Sequence, residues 1–392
     1  MRVRADPVSR LAATLLASTL PCAAGGLLIV GLDGFRHDYA ARFPAPHLRR
    51  MAAEGAVARA LIPCFPSTTF PNFYTIATGL PPEQHGIVEM LFHDPAGRRF
   101  YYRDPSSTDD GAWYGGTPIW VAAEKAGIPS ATYFWPGSSA EIEGRRPRWF
   151  FPYDPSVTPE RKIDQVQSWL AMPERERPRL VMVYLPEVDV AGHRHGPDAP
   201  QTRDAVAAVD SAVGRLRALS SAAGYDIVVV SDHGMSRVRE IIDLSGLADF
   251  SGFRVANGLM LVQLYSSDPA LIGRTRSALR GRSTKWSVYR RSEIPRHLRF
   301  NLNPRIGDLV IVPNGPYLIG IGHEIPRLAG MHGYDPRRFP EMNGVLYAAG
   351  PRIRPGIRWP AVRNTDLFRW FARLLELPGH QTVAGPLGAA LR

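Results

Sequence analysis

The sequence is poor in cysteine, in lysine and in long apolar runs, and each shortage excludes something. It has 392 residues and two cysteines, Cys22 and Cys64. That is too few for a disulfide-stapled scaffold, so a hydrophobic core has to carry the fold. Of 47 basic residues, only Lys125, Lys162 and Lys285 are lysines. The formal net charge is +11, yet the arginines are scattered, with small groups at Arg145 to Arg148 and Arg290 to Arg299. No basic stripe with interleaved aromatics and no nucleic-acid-binding module is visible. Such a charge favours anionic substrates by long-range attraction. No segment approaches the roughly 20 consecutive apolar residues that a bilayer-spanning helix needs. No internal repeat is visible either.

What is present is a globular composition, 45% hydrophobic and 21% charged, which excludes disorder and permits a large core. The amino terminus carries Arg2, Arg4 and Arg10, then an apolar run from Leu11 to Leu20, then the small-residue stretch Pro21-Cys22-Ala23-Ala24-Gly25. This order of features predicts a signal peptide over residues 1–24 and a periplasmic or secreted location for the remainder. Thr19-Leu20-Pro21 makes a poor lipoprotein box before Cys22. Cleavage after Cys22 would leave one thiol and no internal disulfide.

Three unbroken apolar runs, Gly26 to Leu32, Arg179 to Leu185 and Asp226 to Val230, have the pattern of strands buried on both faces in a parallel sheet. Helical stretches alternate with them. One runs from Pro46 to Gly55. A second opens at Thr117-Pro118, with Thr as cap and Pro in the first turn, and reaches Gly127. Ala205 to Leu219 and Thr365 to Leu377 carry apolar residues along one face. The expected architecture is α/β: a doubly wound, mostly parallel central sheet flanked by helices. Residues 25–392 would form one catalytic domain. A smaller lobe, rich in Gly, Pro and Arg, would be inserted at about 250–325, with short strands near Leu259 to Leu264 and Asp308 to Val312.

Chemistry-bearing residues follow those strands. Asp33 comes directly after the first run, Asp189-x-x-x-His193 soon after the second, and Asp232-His233 after the third; His332 lies far downstream. In an open parallel sheet, ligands bind beyond the carboxyl ends of the strands, so these residues can meet at one rim. Four-residue spacing puts Asp189 and His193 on one side of a helical turn. His195 could compete as a ligand. Carboxylates and imidazoles gathered in this way suit two divalent ions, zinc foremost. Read singly, Asp33 suits a turn, and the hydroxyls of Thr68 and Thr69 suit a helix cap. Beside the metal-ligand set, Thr69 suits a nucleophile at a helix start, where free N–H groups favour phosphate.

The ordered motifs Asp33-Gly34-Phe35-Arg36, Phe65 to Asn72, Thr78-Gly79-Leu80-Pro81, His85-Gly86-Ile87-Val88, Phe134-Trp135-Pro136-Gly137-Ser138, Gly192-His193, Ser231 to Met235 and His332-Gly333-Tyr334 resemble the ectonucleotide pyrophosphatase/phosphodiesterase family. That family belongs to the alkaline phosphatase superfamily, and the similarity runs from about Leu28 to Leu377. The resemblance implies two zinc ions per chain, one on Asp189, His193 and His332, the other on Asp33, Asp232 and His233, with the Thr69 oxygen as a ligand and as the nucleophile. It implies a phosphoric diester hydrolase acting on a small-molecule phosphodiester or nucleotide, through a covalent phospho-threonine; no protein partner follows from it. Phe70, Tyr153 and Tyr184 resemble aromatic positions that clamp a nucleobase. Two positions depart from the family pattern. Met90 stands where an Asn donates to phosphate, and a thioether cannot donate; Thr68 replaces a Lys before the nucleophile. The departures leave the backbone N–H groups near Phe70 as substitute donors. They also keep open a diesterase of choline-phosphate or other lipid-type esters, and a weakly active binding protein that keeps the fold.

Overall fold

The computed structural model describes residues 25–322, 325–380 and 385–391. The expected signal peptide lies outside the described residues. Eight strands form the central sheet, in the spatial order Ile357–Trp359, Ala56–Ala58, Leu346–Ala349, Asp226–Val230, Leu27–Leu32, Leu180–Leu185, Ser130–Tyr133 and Trp149–Phe151. Every neighbouring pair is parallel except those made by Leu346–Ala349, which runs against both of its neighbours. The three apolar runs are the three central strands, and every residue in them is buried. Helices cover both faces as the alternation required, so these strands meet apolar side chains above and below.

Helix boundaries follow the local chemistry. Pro46–Glu54 starts on its proline, and Pro200–Ala222 extends the apolar stripe over 23 residues. The helix expected from Thr117 begins later, at Ile119, and Pro118 occupies the cap position. The Thr117 hydroxyl is instead spent on Glu143, at 2.9 Å. The final α-helix spans Leu367–Leu374, preceded by one 3-10 turn. Between the strands at 226–230 and 346–349, the chain builds a separate four-stranded antiparallel sheet. Its order is Arg254–Asn257, Val262–Tyr265, Leu309–Pro313 and Trp286–Arg290, and it has a hydrophobic cluster of its own with the helix Pro269–Leu279.

Register aligns the strand ends. Leu32 pairs with Leu185, and Gly31 pairs with both Tyr184 and Val230. Asp33, the residue after the first strand, donates its N–H to Leu185 O at 2.9 Å. One rim of the sheet therefore presents Asp33, the start of the helix Glu187–His195, and Ser231-Asp232-His233. The helix Thr69–Thr78 packs on this end through Phe73. A Cβ on Gly31 would lie 2.6 Å from Phe73 Cε1 and 2.9 Å from Trp135 Cζ3, so the glycine permits the helix to sit that close. Gly31→Val is expected to destabilise the fold by about 1–3 kcal/mol through overpacking. The check is chemical denaturation, where an unchanged midpoint would show that this contact is soft.

Candidate metal centre and nucleophile

The sheet rim gathers the carboxylates and imidazoles into two clusters, Asp189–His193–His332 and Asp33–Asp232–His233. Each supplies three donor atoms within 4.8 Å of one another. The clusters abut: the rings of His233 and His332 stack with centroids 3.6 Å apart. Gly34 makes the approach possible. Its φ is +67°, and a Cβ there would lie 2.9 Å from Asp189 Cα. His195, two residues beyond His193, belongs to neither cluster, because on a helix that spacing turns a side chain away.

Backbone carbonyls set the imidazoles. Nδ1 of His193 faces Gly330 O at 2.9 Å, Nδ1 of His233 faces Gly234 O at 2.9 Å, and Nδ1 of His332 faces Ser67 O at 3.0 Å. A carbonyl can only accept, so each Nδ1 carries the proton and each Nε2 offers a lone pair. Those lone pairs point at one another and at acids. His332 Nε2 is 3.1 Å from His193 Nε2, and His233 Nε2 is 3.0 Å from Asp232 Oδ2 and 3.4 Å from Asp33 Oδ1. Asp33 Oδ1, Asp189 Oδ1 and Asp232 Oδ2 are buried with no hydrogen-bond partner among the described residues. Burial, then the neighbouring Asp232 and Asp189, pushes the Asp33 carboxyl far above its usual range. Burial followed by Asp189 does the same to Asp232. Burial, then His233 and His193, pushes His332 far down. Such an array of facing acceptors is self-repelling and fits two bound cations, which would satisfy every orphaned atom at once.

Thr69 is the first residue of its helix, and Thr68 is the cap residue. Neither hydroxyl caps: no side-chain cap bond forms. The Thr69 hydroxyl instead donates to His233 Nε2 at 3.2 Å, which places it against the second cluster. Its loop is braced. Asn72 Nδ2 donates to Pro66 O and Thr68 O, both at 2.9 Å, and Ser67 Oγ donates to Tyr334 O at 2.8 Å. Ser67 also accepts the Gly333 N–H at 3.1 Å, tying the loop to the one that carries His332.

The aromatic positions divide. Tyr153 is 56% exposed and stands edge-on to Tyr184 at 6.2 Å. Phe70 is half-buried against Phe100. Tyr184 is buried, and its hydroxyl donates to Asp33 Oδ2. It therefore holds an acid as well as facing Tyr153. Buried Lys162 donates to Tyr184 O at 3.1 Å and lies 3.7 Å from Glu187 Oε1, fixing the segment that leads into Asp189. Met90 brings a correction. The Phe70 N–H, expected to be free as a substitute phosphate donor, donates to Met90 Sδ at 3.3 Å. The thioether that cannot donate also occupies the nearest amide. Beside it, burial pushes the Glu89 carboxyl up to about 7.

Sequence reasoning missed the hydroxyl of Tyr184, the braces from Ser67 and Asn72, and Lys162. Ser67 and Asn72 lie inside the Phe65 to Asn72 motif, which was the available signal. The roles of Tyr184 and Lys162 depend on cross-chain packing that no spacing reveals.

An alkaline phosphatase-like fold with two candidate metal clusters at the sheet rim defines a metal-dependent hydrolase of phosphoric diesters. The sequence model of the type I phosphodiesterase / nucleotide pyrophosphatase family matches residues 27–335, and the chain belongs to that family. An uncharacterised pyrophosphatase/phosphodiesterase of Schizosaccharomyces pombe is 34% identical over 378 residues, covering 90% of this chain and 77% of the relative. Ectonucleotide pyrophosphatase/phosphodiesterase family member 1 of Rattus norvegicus is 30% identical over 369 residues; the match covers 89% of this chain and 40% of that longer protein. Among solved structures, murine ectonucleotide pyrophosphatase/phosphodiesterase 5, an inactive threonine-to-alanine variant in complex with AMP, superposes with a TM-score of 0.87. It is 27% identical and covers 94% of this chain and 100% of that one.

Tyr184→Phe removes the hydroxyl that orients Asp33 and should weaken metal affinity at that cluster about ten- to a hundredfold. Competition with a chromogenic chelator measures it, and wild-type affinity would reduce Tyr184 to a packing residue.

Proposed function

We propose that the chain hydrolyses phosphodiester or pyrophosphate bonds of nucleotides at a two-zinc site, with Thr69 as nucleophile. The observation that carries this reading is the Thr69 hydroxyl at 3.2 Å from His233 Nε2, at the junction of the two clusters. Asp189, His193 and His332 would hold one zinc, and Asp33, Asp232 and His233 the other. Bound there, the pair would acidify the hydroxyl and neutralise phosphoryl charge.

The protein's own groups do the rest. The braced 66–69 loop holds Oγ1 of Thr69 in place, so attack on phosphorus costs little reorganisation. Oγ1 loses its proton as the Oγ–P bond forms, the bond to the leaving oxygen breaks in line, and that oxygen takes up a proton. Water then cleaves the phospho-threonine and returns the hydroxyl. Tyr153 offers an exposed ring on which a nucleobase can stack, with Phe70 on the side of the nucleophile. AMP in the complex of the murine relative supports a nucleotide, and the threonine-to-alanine change in its inactive form supports Thr69. We read residues 25–392 as one catalytic domain with the 250–325 segment inserted. The amino-terminal pattern supports action outside the cytoplasm.

Thr69→Ala is expected to abolish hydrolysis of bis(p-nitrophenyl) phosphate while two metals per chain remain by elemental analysis; retained turnover would remove Thr69 from the reaction. Losing one oxyanion donor costs on the order of 10²–10³ in rate. Met90→Asn, which supplies a donor and frees the Phe70 amide, should therefore raise kcat at least about tenfold. Steady-state kinetics with p-nitrophenyl thymidine monophosphate tests this, and a fall in kcat would show that the thioether is adapted to its place.

A further inference from the structure

A second concavity, built apart from the metal clusters, lies where the helical segments Tyr39–Arg42 and Pro46–Glu54 cover the far edge of the central sheet. It is open to solvent and holds about 380 Å³, a size in the range of small-ligand sites. Three arginines, Arg49, Arg59 and Arg358, stand around it, and among the described residues no acid lines it. Arginines elsewhere on this surface are paired: Arg36 and Arg42 with Asp38, Arg50 and Arg217 with Glu54. Those pairings consume the acids nearest the cavity in sequence. Asp210, on the adjoining helix, is consumed by the N–H groups of His47 and Leu48 at 3.0 and 2.8 Å. Among the described residues, none of the three cavity arginines has a carboxylate within ion-pair distance.

Two of the three arginines are held by backbone carbonyls. Arg49 donates to Ala40 O and Phe43 O at 3.0 and 3.3 Å, and Arg358 donates to Ala52 O at 2.6 Å. Each guanidinium has five donors, so most remain free. His37, also in the lining, has a buried Nδ1 with no partner among the described residues. Tyr347 is likewise in the lining.

Apolar groups make up the other part of the wall. The Trp359 indole N–H is spent on Pro386 O at 2.9 Å, so this side chain has no donor left to offer the cavity. Alanine and valine side chains complete the wall and leave the room that the volume records. No carboxylate or carboxamide side chain is present to read the edge of a base.

We propose that this cavity binds an anionic amphiphile: one sulfate-, phosphate- or carboxylate-type head held by Arg49, Arg59 and Arg358, with a short alkyl body against Trp359 and the alanines. The proposal is independent of the metal centre, and its failure would leave the hydrolase reading intact. The test is calorimetric titration of the metal-replete full chain with octyl sulfate, with octyl glucoside and inorganic sulfate as tail-only and head-only controls. The expected result is saturable binding of octyl sulfate alone. Affinity should fall at least tenfold in Arg59→Ala/Arg358→Ala, which removes the head contacts, and in Ala41→Trp, which fills the space from an exposed position. Both variants should hydrolyse bis(p-nitrophenyl) phosphate at the wild-type rate, which shows that they are folded. Equal binding of octyl glucoside, absence of saturable binding, tighter binding of AMP than of octyl sulfate at this cavity, or wild-type affinity in both variants would overturn the proposal.

Discussion

Mutual repulsion among six donor groups is the constraint on which the rest of the structure depends. Three imidazole Nε2 atoms and three carboxylates face one another at the sheet rim, four of the six residues buried and two half-buried, with each Nδ1 turned to a backbone carbonyl. Burying one uncompensated carboxylate costs several kcal/mol. Holding three together without cations is worse, as the upward displacement of Asp33 and Asp232 and the downward displacement of His332 record. The surrounding core supplies the rigidity that keeps these groups from separating.

That rigidity has identifiable sources. The three central strands are completely buried and in register, so their ends form a fixed line. Gly31 lets the helix of Thr69 settle on this line, and Gly34 lets Asp189 approach it. Ser67 then links the loop of Thr69 to the loop of His332 through both its backbone carbonyl and its hydroxyl. Thr69, the proposed nucleophile, and two candidate ligand clusters from five separate chain segments thus share one scaffold. Pre-organisation of this kind is what two-metal chemistry needs from a protein, because the cations act only on atoms already in place.

On the proposed reading, Met90 in place of a donor would change the phosphate side of the site without touching the metal side. Met90 Sδ takes up the Phe70 amide, and Glu89 beside it is buried. On that reading the helix start would have less capacity to stabilise an anion, and the candidate ligands would be unchanged. The distinction separates the capacity for phosphoryl transfer, set by the clusters, from the rate and the choice of substrate, set by what surrounds the phosphoryl oxygens.

Much of this was legible in the chain. Unbroken β-branched runs announced the buried parallel strands because a strand covered on both faces has no polar side. Acids just past their ends announced the rim, because strand ends are where an open sheet exposes functional groups. The motif order carried the family. What the sequence could not determine is which hydroxyl, amide or carbonyl satisfies which ligand. The bond from Tyr184 to Asp33 crosses 151 positions and that from His332 to Ser67 crosses 265. The capture of the Phe70 amide by Met90, and three unpaired arginines around one cavity, likewise exist only after packing. Local pattern determines what each segment becomes; partners distant in sequence are chosen by how the finished segments pack.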